Sequence, residues 1–515
     1  MQNHKKQKEP NLKKLLSGRS VILISNRGPV EFKRDEFGNL ITKRGGGGLV
    51  TAMTAISEET RATWISAAMT DVEQAMARDD VVVGFPEDNP LYHIKLVDIP
   101  KSVYKPYYNV ISNPLLWFIH HYIWNLSRAP DITAETHRAW REGYVVANKL
   151  LADAAAEESL LHINPIIMIQ DYHLFLAAKY IRQQTDRAFL FHFTHIPWPE
   201  PDYMSILPYE MRTELLAGML ANDLLGFQTR HYANNFLLCC ESLLGCVVNW
   251  KRKSALWQGR EVYVRSYPIS IDRAGLQKIS VSSDVLKHET KLKKDYKDQA
   301  LIVRTDRCDP SKNIIRGFLA FDILLQKHPE LKEKVKFLAL LYPTRENIKL
   351  YKDYRLEVES TVQKINDRHK TDSWTPIYLR IKDNYPESVA ALKCYDVLLV
   401  NPIFDGMNLV SKEGPFINKR NGVLILSENA GAFSELGNSC LSINPFDVDE
   451  TAEAIYKAIN MPAYEKQARS ASLKEIVEKN SSVKWLYYQL KDIVTIERKK
   501  SAVKAVKEVA ETVER

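Results

Sequence analysis

Short apolar runs with little polar alternation recur along the chain, at residues 21–25, 166–169, 189–193, 224–227, 301–303, 337–341, 397–400 and 423–426. Near-continuous hydrophobicity over so few residues marks strands covered on both faces, as in a parallel sheet with helices on each side. Helical patterns fill the gaps, for example over 134–157, 313–327, 351–366 and 386–394. Alternating strands and helices predict parallel sheets, and 515 residues are too many for one such sheet. The expected fold is α/β, with two Rossmann-like, doubly wound domains facing a central cleft. A joint is expected near 267–272, between a strand at 261–266 and a charged helix at 282–298. The chain then divides into a basic tail (1–19), a first domain (20–267), a second domain (268–463) and C-terminal helices (464–515) that partly cross back.

Composition narrows the class. Hydrophobic residues make up 45% and charged residues 26%, which excludes a disordered or fibrous chain. No apolar run approaches the roughly 20 residues that span a bilayer, and no cleavable leader is expected. The net charge of +8 gathers at the two ends, around Lys5, Lys6 and Lys8 and again at Arg498, Lys499 and Lys500. Neither end interleaves aromatics, so they read as solvated tails rather than a nucleic-acid surface. The six cysteines form no C-x-x-C pair and no metal spacing, which predicts reduced thiols in a cytoplasmic protein.

Candidate chemistry gathers just after the strands, where open α/β sheets place ligands. Ser25-Asn26-Arg27 follows the first run. The run Gly45–Gly48 follows a hairpin expected over 31–44 and precedes a helix near Leu49. Its glycines suit a phosphate cradle or a mobile linker, and it matches neither G-x-G-x-x-G nor a Walker loop. Gln170-Asp171-Tyr172-His173 and His195-Ile196-Pro197 follow two strands of one sheet, so Asp171 and His195 face one rim, suited to sugar hydroxyls. A lone histidine there is more often a structural hydrogen bonder. Tyr107, Tyr108, Trp117, His120, His121 and Trp124 make either a core helix or lid, or a wall on which a sugar ring stacks. Arg307 and Lys312 at the start of a helix make either a solvated loop or a diphosphate grip, with Arg345 a third cation nearby. After the run at 397–400, Gly406 permits a tight turn and the amides of Met407, Asn408, Leu409 and Val410 could meet phosphate. Glu413, a turn further in, is placed for a ribose diol. With no cluster of metal ligands in view, cationic side chains take a metal's place.

Taken in order, Ser25-Asn26-Arg27, the glycine run, Gln170-Asp171-Tyr172-His173-Leu174, His195-Ile196-Pro197, the segment 223–229, Arg307 with Lys312, and 405–410 with Glu413 resemble the trehalose-6-phosphate synthase family. These are retaining glycosyltransferases of family 20 with the two-Rossmann GT-B fold, and the similarity runs over about 21–462. The resemblance implies that Arg307 and Lys312 hold the donor diphosphate and neutralise the leaving nucleotide, beside Gly47 and Gly48. It implies that Asp405, the amides of 407–410 and Glu413 bind donor sugar, phosphate and ribose, and that His195 contacts the donor sugar. Asp171 would meet the acceptor hydroxyls, and Arg27, Tyr108, Trp117 and Arg345 the acceptor's phosphate and ring. Arg307, Lys312, Asp171 and His195 are the catalytic set so implied. The reaction expected is transfer of glucose from a nucleoside-diphosphate glucose to glucose 6-phosphate, with retention, giving α,α-trehalose 6-phosphate. No cofactor, metal, nucleic acid or membrane partner is expected, and a homo-oligomer is compatible with the reading.

The chain departs from the family pattern in the loop expected after Trp64, at 65–69, at Cys308 and Pro310, and at Asn313, where glycine is frequent. Segments 412–415, 427–432 and 444–447 are similar to the pseudo-glycosyltransferase of validamycin biosynthesis. Two alternatives therefore stand beside the main reading: a transferase for another phosphorylated acceptor (glycerol 3-phosphate or a cyclitol phosphate), and a non-catalytic regulatory homologue.

Overall fold

The computed structural model describes residues 12–16, 18–44, 53–54 and 57–513. Its first lobe is built on a ten-stranded sheet. In spatial order the strands are Val247–Asn249, Ser254–Trp257, Arg260–Ser266, Leu224–Phe227, Phe189–Thr194, Ile166–Gln170, Val21–Ser25, Thr63–Ala67, Tyr92–Val97 and Val82–Phe85. From Arg260–Ser266 through Tyr92–Val97 every neighbouring pair is parallel, and only the outer strands turn antiparallel. The second lobe carries six parallel strands, in the order Ile377–Ile381, Val335–Tyr342, Ala300–Arg307, Val397–Val400, Val423–Ser427 and Leu441–Ile443. Ala300–Arg307 is an inner strand, and Arg307, its last residue, lies opposite Tyr342.

Register decides what reaches the rim. Ile24 pairs with Ile169, Gln170 with Phe193, and Thr194 with Phe227. The residues that next leave the sheet (Asn26, Asp171, His195 and Gln228) therefore emerge along one edge. Ile22, Ile24, Ile167 and Ile169 pack one face, with Trp117, Tyr144 and Trp198, while Leu23, Trp64, Met168 and Phe191 pack the other. Both cores cross between lobes: the first takes in Ile348 and Tyr351, and the second runs through Tyr267 and Ile269 to Val389, Leu398 and Leu424. Each large apolar side chain so buried contributes about 1.5–3 kcal/mol.

The C-terminal helix Ser482–Val513 returns to the first lobe. Trp485 donates its indole N–H to the carbonyl of Tyr267 at 2.9 Å and stands edge-on to Phe193, and the Tyr267 hydroxyl donates to Asp492 at 2.7 Å. Arg19 ion-pairs with Glu497.

Three sequence expectations change. The stretch expected to be a solvated tail contains a helix, Leu12–Leu16, with Leu12 and Leu16 buried; two leucines one turn apart give it an apolar face. The run expected at 301–303 extends to Arg307, because the polar residues that continue it are paired inside the lobe rather than solvated. The residues after Trp64 form a strand, Thr63–Ala67, not a loop.

Candidate active site

The site lies where the strand ends of the two sheets face each other. From the first lobe come Arg27, the irregular helical turns Tyr107–Leu116 (interrupted at Asn113), the helix Trp117–His120, and the turns after Gln170 and Thr194. From the second come the turn Pro310–Lys312, Arg345, and the loop that leads into the helix Val410–Ile417.

Trp117 is the hub. Its indole N–H donates to Asp309 of the opposite lobe at 3.2 Å. The guanidinium of Arg345 sits 4.1 Å over its ring and that of Arg307 at 4.9 Å, and His121 stacks on it at 3.9 Å. Cation–π contacts of this kind strengthen as water is excluded. Arg345 donates to Asp309 at 3.1 Å, to the Tyr351 hydroxyl at 2.5 Å and to the Tyr172 hydroxyl at 3.0 Å. Burial alone would raise the Asp309 carboxyl, but Arg345 and Arg307 outweigh it and hold Asp309 below the usual carboxylate range.

Tyr108 joins the two arginines expected to meet a phosphate. The Arg27 guanidinium lies 5.6 Å over its ring, and the charge of Arg345 acts on its hydroxyl. Burial would push that hydroxyl up, yet Arg345 and Arg27 bring it below the ordinary tyrosine value. Tyr104, Tyr108 and His173 stack as a column, with centroid spacings of 5.5 and 5.8 Å. Arg27 itself is exposed as a residue, with its guanidinium held against the Tyr108 face of this wall.

Asp171 carries φ +70°, ψ 174°, a conformation that is strained for a side chain with a Cβ. Its carboxylate accepts the His195 backbone N–H at 3.0 Å, and burial pushes its pKa up to about 6. Burial also pulls His195 down to about 3, so the ring is neutral. Its Nε2 lies 2.9 Å from Gln170 Oε1 and its Nδ1 3.4 Å from Gln228 Nε2, an arrangement satisfied by an N–H on Nε2. Both ring nitrogens of His195 are thus engaged by protein groups.

Lys312 ion-pairs with Asp405, which also accepts from Asn408 Nδ2 at 3.0 Å. Burial opposes ionisation of Asp405, but Lys312 overrides it and keeps the carboxylate below its usual range. Gly406 abuts the His195 backbone, and the Tyr232 hydroxyl donates to the Asp405 carbonyl at 2.9 Å. Met407 is buried, and the Ala432 N–H donates to its carbonyl. Leu409 immediately precedes the helix Val410–Ile417. Burial lifts Glu413, inside that helix, to about 7.

Arg27, Tyr108, Trp117, Asp171, His195, Arg307, Lys312, Arg345 and 405–410 therefore converge, while Gly47 and Gly48 lie outside the described residues. Asp309, Tyr172, Gln228 and Tyr351 belong to the site but were not singled out. The first three lie within the quoted motifs. Tyr351, on the helix Lys349–His369, carries no local signal. Asp171, Asn313, Arg345 and Asn408 are four of the twelve non-glycine residues that adopt positive φ among the described residues. Among the described residues no group of three His, Cys, Asp or Glu side chains is placed to hold a metal ion.

A family model described as "Glycosyltransferase family 20" matches residues 19–495. The chain belongs to glycosyltransferase family 20. This agrees with the resemblance read from the motifs, and the two facing sheets are the GT-B fold. The chain is 30% identical over 470 residues to a probable alpha,alpha-trehalose-phosphate synthase (UDP-forming) of Arabidopsis thaliana, covering 90% of this chain and 56% of that relative. An Escherichia coli trehalose-6-phosphate protein, solved bound with UDP-2-fluoro glucose, superposes with a TM-score of 0.80 at 29% identity, covering 92% of this chain and 99% of that one. A UDP-forming synthase of Burkholderia xenovorans, solved in complex with glucose-6-phosphate, gives a TM-score of 0.79 at 28% identity, with 92% and 99% covered. Asn313 adopts φ +57°, a conformation open to asparagine as it is to glycine.

Proposed function

We propose that this chain transfers glucose from a nucleoside-diphosphate glucose to glucose 6-phosphate, retaining anomeric configuration and giving α,α-trehalose 6-phosphate. One observation carries the reading. Arg27, Arg345 and Tyr108 from the two lobes form a single cationic, hydroxyl-bearing wall beside Trp117, within reach of the Arg307 and Lys312 turn. Two arginines gripping one phosphate by their planar forks suit a phosphorylated acceptor far better than a neutral sugar. The ligands named for the E. coli and B. xenovorans structures support the same pair of substrates.

Departure of the nucleoside diphosphate places negative charge on the leaving oxygen and positive character on the sugar ring. Arg307 and Lys312 neutralise the first; once the donor is bound both are fixed before the bond breaks, so little reorganisation accompanies the chemical step. The amides of 407–410 and the Glu413 carboxylate take the donor's phosphate and ribose, with Gly47 and Gly48 assigned beside the diphosphate. Asp405 and His195 border the transferred sugar. Lys312 leaves Asp405 for the phosphates when the donor binds, freeing that carboxylate for sugar hydroxyls. Asp171 orients the acceptor hydroxyl, whose proton passes to the leaving phosphate oxygen on the same face. No protein nucleophile enters, and cations rather than a metal balance the charge. Closure of the lobes excludes water and so suppresses hydrolysis of the donor. Six buried cysteines without disulfides fit a cytoplasmic enzyme.

The test is a donor-by-acceptor matrix on the purified chain, with UDP-, GDP- and ADP-glucose against glucose 6-phosphate, glycerol 3-phosphate and a cyclitol phosphate. Diphosphate release and product mass are read, with and without EDTA. Release that needs glucose 6-phosphate and persists in EDTA is expected. Failure of all three donors with glucose 6-phosphate removes the proposal, and turnover with another acceptor alone reassigns the substrate.

A further inference from the structure

A fully buried arginine stands beneath the Lys312 turn. Arg304, on the inner strand Ala300–Arg307, has no exposed surface. Its Nε donates to Asp306 at 2.9 Å. Its Nη2 donates to the carbonyl of Lys312 at 2.7 Å and to Oδ1 of Asn401 at 2.6 Å, and its Nη1 to the carbonyl of Ile314 at 3.3 Å. Asn401, itself buried, donates to the carbonyl between them, that of Asn313, at 3.2 Å. Three consecutive carbonyls, 312 to 314, are thus clamped from below by one guanidinium and one amide. The Asn313 side chain secures the same turn laterally, donating to Pro445 O at 2.7 Å. Gly317 keeps the space open: a Cβ there would stand 2.7 Å from Arg304 Nη1.

A charge is costly to bury unless every donor is matched, and replacing such an ion pair by apolar packing is often neutral or stabilising. Stability is therefore a weak account of an arginine in this strand. What the guanidinium does that an apolar side chain could not is fix the backbone from which Lys312 extends. Only a fork with several divergent N–H groups reaches two carbonyls and an amide oxygen at once.

We infer that Arg304 is a positioning residue for diphosphate binding: through its bonds to the carbonyls of Lys312 and Ile314, shared with Asn401, it sets the place of the Lys312 ammonium without touching either substrate. The inference rests on the proposed function, since it requires that Lys312 bind the donor's phosphates. Small displacements of a charged contact in a preorganised site carry large rate effects.

Calorimetric affinity for UDP, GDP and ADP is measured on the wild type, Arg304→Lys and Asp306→Asn, alongside kinetics for both substrates and thermal unfolding. The lysine variant keeps a buried cation but cannot span both carbonyls, whereas the Asp306 variant keeps the whole fork. Arg304→Lys is expected to weaken the best-bound diphosphate by about tenfold and to lower kcat, with KM for the acceptor moved less than about twofold. Asp306→Asn is expected to lose thermal stability but to keep diphosphate affinity within about threefold. Should Arg304→Lys not fold, Asn401→Ala, which loosens the same guanidinium without removing a charge, carries the same expectation. Wild-type affinity in the folded variants, a loss that merely tracks melting temperature across the set, or failure of both Arg304→Lys and Asn401→Ala to fold overturns the inference and leaves Arg304 a folding residue. A wild type that binds none of the three diphosphates instead removes the functional reading beneath it.

Discussion

Gly406 lies so close under the backbone carbonyl of His195 that a Cβ on the glycine would stand 1.7 Å from that oxygen. The contact joins the two lobes backbone to backbone, so no flexible side chain can yield. It fixes the separation between the His195 rim and the Asp405 loop, which the proposed chemistry needs in register. Gly406→Ala is expected to lower kcat/KM by about 100-fold or more through misplacement of the two substrates. Steady-state kinetics check it, and turnover within a few-fold of wild type would show that the seam is not required.

Arg307 offers a cleaner test of electrostatics. Its side chain is 39% exposed, and its nearest carboxylate oxygen, on Asp309, is 4.0 Å away. Its removal should therefore cost little stability. Arg307→Ala is expected to reduce kcat by roughly 10²–10³, the usual cost of losing one preorganised group at developing negative charge. Arg307→Lys should restore only part of this, because a point charge does not reproduce the planar fork. A kcat unchanged in the alanine variant, measured at saturating substrates, would remove Arg307 from the chemistry.

The strands that the sequence makes plain are those buried on both faces, such as Val21–Ser25 and Val397–Val400. Thr63–Ala67 and Ile377–Ile381 carry no such signal, because Ser66 and the pair Tyr378 and Arg380 interrupt their apolar runs. Ala300–Arg307 shows only its apolar first half for the same reason: Arg304 resembles the start of a loop, and it is Asp306 and Asn401 that satisfy it inside the lobe. The site was legible where chemistry follows a strand directly, as at Asp171, His195 and Arg307. The indole of Trp117 on Asp309 is not legible, since it depends on how the lobes dock; Lys312 on Asp405 pairs two rim turns 93 residues apart within the second lobe; and Tyr351 meets Arg345, six residues away, only through the fold of the turn between them.

Asn313 should tolerate glycine and little else. Its φ of +57° favours glycine or asparagine, and a β-branched side chain is strongly disfavoured there. Asn313→Gly loses the bond to Pro445 and is expected to cost about 1 kcal/mol. Asn313→Val adds backbone strain and is expected to cost about 2–4 kcal/mol. Denaturant unfolding of both variants checks the order, and equal losses would mean that the side-chain bond rather than the backbone conformation governs the site.

Glu413 ties stability to ligand binding through one proton. Burial raises its folded-state pKa from 4.5 to about 7. Between those values the folded chain holds a proton that the unfolded chain has released, so stability falls as pH rises through the window, by up to about 1.4 kcal/mol per unit. Glu413→Gln has no such loss. Its stability relative to wild type should therefore improve from pH 5 to pH 8, on the order of 1–3 kcal/mol, in urea unfolding. If the carboxylate accepts a ribose diol as proposed, a nucleoside diphosphate must bind its ionised form. At pH 6 binding should then release most of one proton more from the wild type than from the glutamine variant, the ligand's own phosphate shedding its proton equally in both, read by calorimetry in two buffers of different ionisation enthalpy. Equal release by both proteins would place the ribose elsewhere, while a stability gap that does not move with pH would mean that Glu413 titrates as an ordinary surface carboxylate.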